Sequence, residues 1–94
     1  MGAINLSHRM RIRMSMMEEL VGYVTGNMKR MQIIQVLGKG ELEVGKVAKM
    51  THIPERLALK VLEGLEEKGL VKVDGKSYAL TGVGVEVENR IRSL

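Results

Sequence analysis

The chain has 94 residues, 45% hydrophobic and 28% charged, a composition that excludes a disordered or fibrous chain and indicates one small folded domain. It has no cysteine, which excludes disulfides and thiolate chemistry, and two tyrosines with no Phe or Trp leave little aromatic surface for stacking on bases. Fifteen basic against eleven acidic residues give a net charge of +4, which suits an anionic partner.

The same composition sets expectations for the core and for the location. With so few aromatic residues, we expect an aliphatic core in which the eight methionines serve as adaptable packing. The apolar runs are too short to cross a bilayer, and the N-terminus lacks the pattern of a signal peptide. The sequence therefore predicts a cytoplasmic protein with no membrane partner.

Residues 1–26 combine a basic arm with a Met-rich helix. The arm contains Arg9, Arg11 and Arg13, and it is either a solvated leader or a contact to phosphates. From Met14 to Val24, apolar residues recur at spacings of three and four, which predicts an amphipathic helix. Its apolar stripe consists of Met17, Leu20, Val21 and Val24.

The next segment predicts two helices and a short strand. Asn27 is a suitable N-cap for a helix that reaches Leu37, where Gly38-Lys39-Gly40 ends it. The alternation in residues 41–43 predicts a short strand, and residues 44–50 have the length of a two-turn helix. Residues 51–53 then form a tight turn.

A longer helix is predicted from Pro54 to Lys68, because proline is well placed at a helix start and Gly69 supplies a C-terminal stop. Its buried stripe is predicted to be Ala58, Val61, Leu62 and Leu65. The opposite face carries Arg56, Lys60, Glu63 and Glu67.

After Gly69 the hydrophobic period changes from 3.6 to 2. Residues 70–73 and 76–80 predict two strands, and Asp74-Gly75 between them predicts a hairpin with a type I′ turn. A C-terminal amphipathic helix follows, with a first turn expected to be weak because it contains Gly82 and Gly84. Its apolar stripe consists of Val83, Val87, Ile91 and Leu94.

Residues 27–81 resemble the winged-helix domain of the ArsR and MarR types of bacterial and archaeal regulators. The resemblance lies in two runs, NMKRMQIIQVLGKGELEVGKVAKM and VLEGLEEKGLVKVDGKSYALT. It implies an α+β, mostly α fold: a winged helix-turn-helix with a two-stranded β-hairpin wing and extra N- and C-terminal helices. It further implies a transcriptional regulator that binds duplex DNA as a homodimer.

Carried onto this chain, the resemblance makes residues 54–68 the recognition helix in the major groove. Arg56 and Lys60 would face base edges or phosphates, and Lys72 and Lys76 would flank the wing turn near the DNA backbone. The full set of expected DNA-binding residues is Arg56, Leu57, Lys60, Lys72, Lys76, Lys49, Thr51, Arg9, Arg11 and Arg13.

Two leucines favour an alternative. Regulators of this type carry polar residues early in the recognition helix, whereas this chain has Leu57 and Leu59 there. Neither can hydrogen-bond a base, although a leucine can touch a thymine methyl. Both leucines would also suit a winged-helix module that binds a protein partner within a larger assembly.

The terminal helices are predicted to make the dimer. A winged-helix core does not need both of them, and their leftover apolar faces would be exposed on a monomer. The expected interface consists of Met17, Leu20, Val21 and Val24 with Val83, Val87, Ile91 and Leu94, and residues 82–94 serve dimerisation. The alternative is that both helices pack back on the core of their own chain.

The sequence predicts no catalytic site, no metal site and no cofactor, since His8 and His52 are isolated.

Overall fold

The computed structural model describes residues 16–94, which form five helices and three strands. Helix α1 covers residues 16–25. The predicted helix start at Met14 and the arginines Arg9, Arg11 and Arg13 lie outside the described residues. The remaining elements are α2 (Met28–Leu37), β1 (Leu42–Glu43), α3 (Val44–Thr51), α4 (Glu55–Glu67), β2 (Val71–Asp74), β3 (Ser77–Leu80) and α5 (Gly82–Arg92).

Local signals place the helix ends where the sequence predicts them. The Asn27 side chain accepts hydrogen bonds from the backbone N–H groups of Lys29 and Arg30, at 2.9 and 3.2 Å, and so caps α2. Pro54 occupies the N-cap of α4, so the helix proper begins one residue later than predicted. Gly69 takes the left-handed conformation, with a φ of 75°, just after α4.

The sheet contains three antiparallel strands in the order β1-β3-β2. The predicted hairpin is present as β2 and β3, and β1 adds a third strand by pairing Leu42 with Tyr78. Because Asp74 pairs with Ser77, the two-residue loop is Gly75-Lys76 rather than Asp74-Gly75. Gly75 has a φ of 65° whereas Lys76 has no positive φ, so the predicted type I′ turn is wrong.

The core is aliphatic, as expected, but none of the five methionines among residues 16–94 is buried in it. Met17 and Met31 only pack against its edge, and Met16, Met28 and Met50 are exposed. Branched side chains with few rotamers fill the interior instead. The buried core residues are Val24, Ile33, Ile34, Leu37, Val47, Ile53, Ala58, Leu62, Leu65, Leu70, Val71, Val87 and Ile91.

The terminal helices pack on the core of their own chain. Val24 in α1 and Val87 in α5 are fully buried, and Ile91 is 8% exposed. These three side chains are therefore core residues and are not free for the dimer contact predicted for them. Glu88, beside them on α5, is also buried, and its carboxylate lies 2.8 Å from Nε of Arg92.

The start of α5 lies directly against the carbonyl of Leu70. A Cβ built on Gly84 would overlap the Leu70 carbonyl oxygen, so only glycine permits this approach. Thr81 secures the same point: its Oγ1 donates to the Gly69 carbonyl at 2.6 Å and accepts from the Gly84 N–H at 3.0 Å. Gly84 is thus a packing requirement, not simply the weak helix position that the sequence suggests.

We expect Gly84→Ala to lower the free energy of unfolding by about 3 kcal/mol or more, because the new methyl group must displace a backbone carbonyl. Gly82→Ala is the matched control: it has open space and should be neutral or slightly stabilising. Urea unfolding of both variants measures the difference. Equal stability of the two would contradict the close approach.

Candidate nucleic-acid interface

The turn between α3 and α4 fixes the angle of the helix-turn-helix. His52 takes the left-handed conformation, with a φ of 60°, and the Ile53 N–H then donates to the Ala48 carbonyl at 3.2 Å. Ile53 is 5% exposed and anchors the turn in the core. Pro54 starts α4 immediately afterwards, so the first turn of α4 is held at the surface by a short, tightly bonded connection.

The outward face of α4 presents two free cations close to the helix start. Ala58, Leu62 and Leu65 are fully buried, as predicted, and Val61 is half-buried. Residues two positions apart are about 200° apart around a helix, so Arg56 and Lys60 point away from this buried stripe, and both are exposed. Within residues 16–94, no carboxylate forms an ion pair with either side chain, and the pairing of Lys60 with Glu63 that a merely solvated face would allow is not formed.

Charge is divided along α4. Its first half carries Arg56 and Lys60 with one carboxylate, Glu55, whereas the charged residues of its second half are all acidic: Glu63, Glu66 and Glu67. The acidic half lies beside the sheet: burial, together with the carboxylates of Glu66 and Glu63, raises the pKa of Tyr78. An approaching polyanion is therefore attracted to the start of α4 and repelled from its end.

The wing, formed by β2 and β3, carries one lysine in a strand and one in its loop. Val71 and Tyr78 pack against the core from one face of the sheet, so Lys72, which pairs with Ala79, lies on the opposite face. Lys76 lies in the two-residue loop at the tip. Both lysines are exposed.

The remaining residues near the start of α4 differ in how well they could contact DNA. Lys49 is exposed in the last turn of α3. The Thr51 hydroxyl donates to the Val47 carbonyl at 2.7 Å, so its proton is not available to a phosphate in this conformation. Leu57 and Leu59 are each 37% exposed on α4.

One junction was not predicted from the sequence. The Arg30 guanidinium lies 3.7 Å from the centre of the Tyr23 ring and donates from Nη1 to the Tyr23 carbonyl at 2.9 Å. Nζ of Lys68, at the end of α4, lies 5.2 Å from the same ring centre. A Cβ on Gly64 would come within 2.8 Å of the Tyr23 hydroxyl oxygen. Tyr23 thus joins α1, α2 and α4, a contact between distant segments that periodicity does not reveal.

Residues 16–94 contain no group of three or more side chains placed to ligate a metal ion. None of the helices in that range has the length and apolar character needed to cross a membrane.

Neither the family models nor the curated proteins give a match to this sequence. Several solved structures are similar to this chain. The quinone-bound YodB from B. subtilis is 21% identical with a TM-score of 0.74, covering 81% of this chain and 88% of that one. Ligand-free NadR is 21% identical with a TM-score of 0.69, covering 99% of this chain and 73% of that one.

A third similar structure is itself an isolated winged helix-turn-helix domain. It is the homodimeric winged helix-turn-helix DNA-binding domain of Mb0332 from Mycobacterium bovis, described as a possible ArsR-family transcriptional regulator. It is 24% identical with a TM-score of 0.69, and the match covers 88% of this chain and 82% of that one. The predicted fold is confirmed: the chain is a winged helix-turn-helix, with helices added before and after it.

The raised pKa of Tyr78 can be measured directly, because Tyr23→Phe leaves Tyr78 as the sole tyrosine. In that variant we expect the phenolate absorbance to titrate above the ordinary tyrosine value of about 10 in the folded chain and near that value in urea. Because the folded state holds this proton longer, the free energy of unfolding should fall as the pH rises past about 10. Adding Glu66→Gln should lower the folded midpoint. Identical midpoints with and without urea would contradict the assignment.

Proposed function

We propose that this protein is a transcriptional regulator that binds duplex DNA as a homodimer, with α4 in the major groove and a short basic wing on the backbone. The observation that carries the proposal is the pair of exposed cations, Arg56 and Lys60, on the outward face of α4 without intrachain ion-pair partners among residues 16–94. The neighbour from Mycobacterium bovis, described as a DNA-binding domain, supports the same reading.

The roles of the contacts follow from their chemistry. The planar fork of Arg56 suits bidentate recognition of a guanine edge, whereas Lys60 acts as a flexible point charge on phosphate. Lys76 at the wing tip, with Lys49 and Lys72, adds phosphate contacts that position the domain without reading sequence. Leu57 lies beside Arg56 and can contact a thymine methyl. The arginines Arg9, Arg11 and Arg13 would extend the phosphate contacts as an N-terminal arm. Such a regulator acts in the cytoplasm, without catalytic activity.

Lys60→Glu and Lys76→Glu should each weaken binding to a labelled random-sequence 30-mer duplex by about tenfold at low salt. Each should also reduce the slope of log affinity against log salt by about 1, because one phosphate contact is lost. Fluorescence anisotropy across a salt series measures both quantities. Unchanged slopes in both variants would contradict the assigned contacts.

Lys29→Glu is the matched control for these variants. It makes the same charge change at an exposed site in the first turn of α2. Its neighbour Arg30 contacts the same Tyr23 ring as Lys68, so Lys29 lies near the C-terminal end of α4. That end of the helix is about 18 Å from Arg56. An equal loss of affinity in Lys29→Glu would mean that net charge alone, not the α4 face, drives binding.

The proposed dimer uses a groove between α1 and α5. The groove has a volume of about 820 Å³ and is lined by Val21 and Glu18 from α1 and by Arg90 and Leu94 from the C-terminal end. Leu94 is 87% exposed, and Met17 and Leu20 are only half-buried, so apolar surface remains exposed on α1 and after α5. A second copy suits the groove because a two-fold interface is self-complementary, and this one carries both an acidic and a basic side chain.

The exposed members of the predicted interface would contribute to that contact. Val83 is 43% exposed at the start of α5, and Leu94 follows the end of the same helix. The homodimeric state of the neighbour from Mycobacterium bovis supports this arrangement. Two recognition helices would then be separated by about one turn of DNA, or about 34 Å.

Arg90→Glu should weaken the dimer by about three- to tenfold, because in a two-fold interface the repulsion with Glu18 occurs twice. The double variant Glu18→Arg/Arg90→Glu should recover most of the loss. Sedimentation equilibrium measures the dissociation constants, with Lys29→Glu again as the control for net charge. A wild-type chain that remains monomeric at high concentration would refute the dimer.

A further inference from the structure

We propose that Tyr23 positions the recognition helix: through its contact with Gly64, it sets the angle between α1 and α4 and hence the spacing of the two recognition helices on DNA. The effect on DNA binding rests on the proposed function, whereas the contact itself lies within one chain.

The first step is that α1 and α4 touch at a point with no spare room. The Tyr23 hydroxyl oxygen occupies the space where a Cβ of Gly64 would stand, with only 2.8 Å between the two positions. A real Cβ does not approach another heavy atom so closely, so any larger residue at position 64 must move Tyr23.

The second step is that a movement of the Tyr23 ring disturbs its contacts with α2 and α4. The Arg30 guanidinium lies on the ring at 3.7 Å and also holds the Tyr23 backbone carbonyl at 2.9 Å. Nζ of Lys68 adds a second cation at 5.2 Å from the ring centre. Because Arg30 contacts both the ring and the backbone carbonyl of Tyr23, we expect displacement of the hydroxyl to shift this part of α1 and not the ring alone.

The third step connects this contact to DNA. α1 contributes to the proposed dimer groove through Glu18 and Val21, while α4 carries Arg56 and Lys60. A change in the angle between these helices therefore alters where each recognition helix lies relative to the dimer axis. Two helices that must enter successive major grooves tolerate such a change poorly.

The test compares Gly64→Ala with Gly45→Ala. Both replace a helical glycine by a better helix former, but Gly45, in α3, has no heavy atom within 4 Å of its Cβ position. We expect Gly64→Ala to weaken binding to the 30-mer duplex by about three- to tenfold, with folding and dimerisation retained, and Gly45→Ala to bind as the wild type does. Adding Tyr23→Phe should restore affinity, because it removes the clashing oxygen.

A second measurement needs neither DNA nor a dimer. The chain has no cysteine, so spin labels can be placed at Glu19→Cys in α1 and Lys60→Cys in α4, diluted with unlabelled protein so that only intrachain distances are seen. Gly64→Ala should shift the distance distribution, and Tyr23→Phe should reverse the shift.

The outcomes separate this inference from the proposed function. If the wild type binds no DNA, the regulator proposal fails, and the spin labels still decide whether Tyr23 sets the helix angle. An unchanged distance in Gly64→Ala, or a shift that Tyr23→Phe does not reverse, overturns the contact. A shifted distance with wild-type DNA affinity overturns its role in positioning the recognition helices.

Discussion

The close approach of α5 to the Leu70 carbonyl is the constraint on which the rest of the architecture depends. Gly84 permits it, and Thr81 bonds both sides of it, joining the end of α4 to the start of α5. Once α5 is seated there, Val87 completes the core beneath the sheet, and the groove between α1 and α5 is formed. The same point fixes where β2 begins, and thereby directs the wing tip at Lys76. One glycine and one hydroxyl therefore connect the proposed DNA-binding side of the domain to its proposed dimer side.

Most of the fold could be predicted because its signals are local. The cap at Asn27, the proline at the start of α4 and the left-handed Gly69 each depend on a few neighbouring residues, and all three are confirmed. The errors concern choices made by tertiary packing. The hairpin register places Gly75-Lys76 in the loop because Asp74 pairs with Ser77, and no local rule distinguishes this from a shift of one residue. The methionines among residues 16–94 do not fill the core because aliphatic side chains, most of them branched, already occupy it.

The same difference between local signals and tertiary packing decides which parts of the candidate site could be predicted. Helical period alone places Arg56 and Lys60 opposite the buried stripe, so this part of the site is visible in the sequence. Strand alternation could also have separated Lys72 from the core face of the sheet, had the buried face been known in advance. The contact between Tyr23 and Gly64 joins residues far apart in sequence, and nothing in either segment indicates it.

The division of α4 into a buried stripe and an exposed arc has a consequence for how such a protein can change over time. Ala58, Leu62 and Leu65 hold the helix in place, while the exposed side chains of Arg56 and Lys60 are expected to contribute little to stability. Substitutions of these exposed side chains cost little stability, so the DNA preference that we propose for α4 can change in single steps without a compensating change in the core. Gly64, half-buried further along α4, is not free to vary in this way, because a Cβ there would clash with Tyr23 of α1. The fold thus leaves the proposed DNA-binding surface free to vary while the packing of α4 stays fixed.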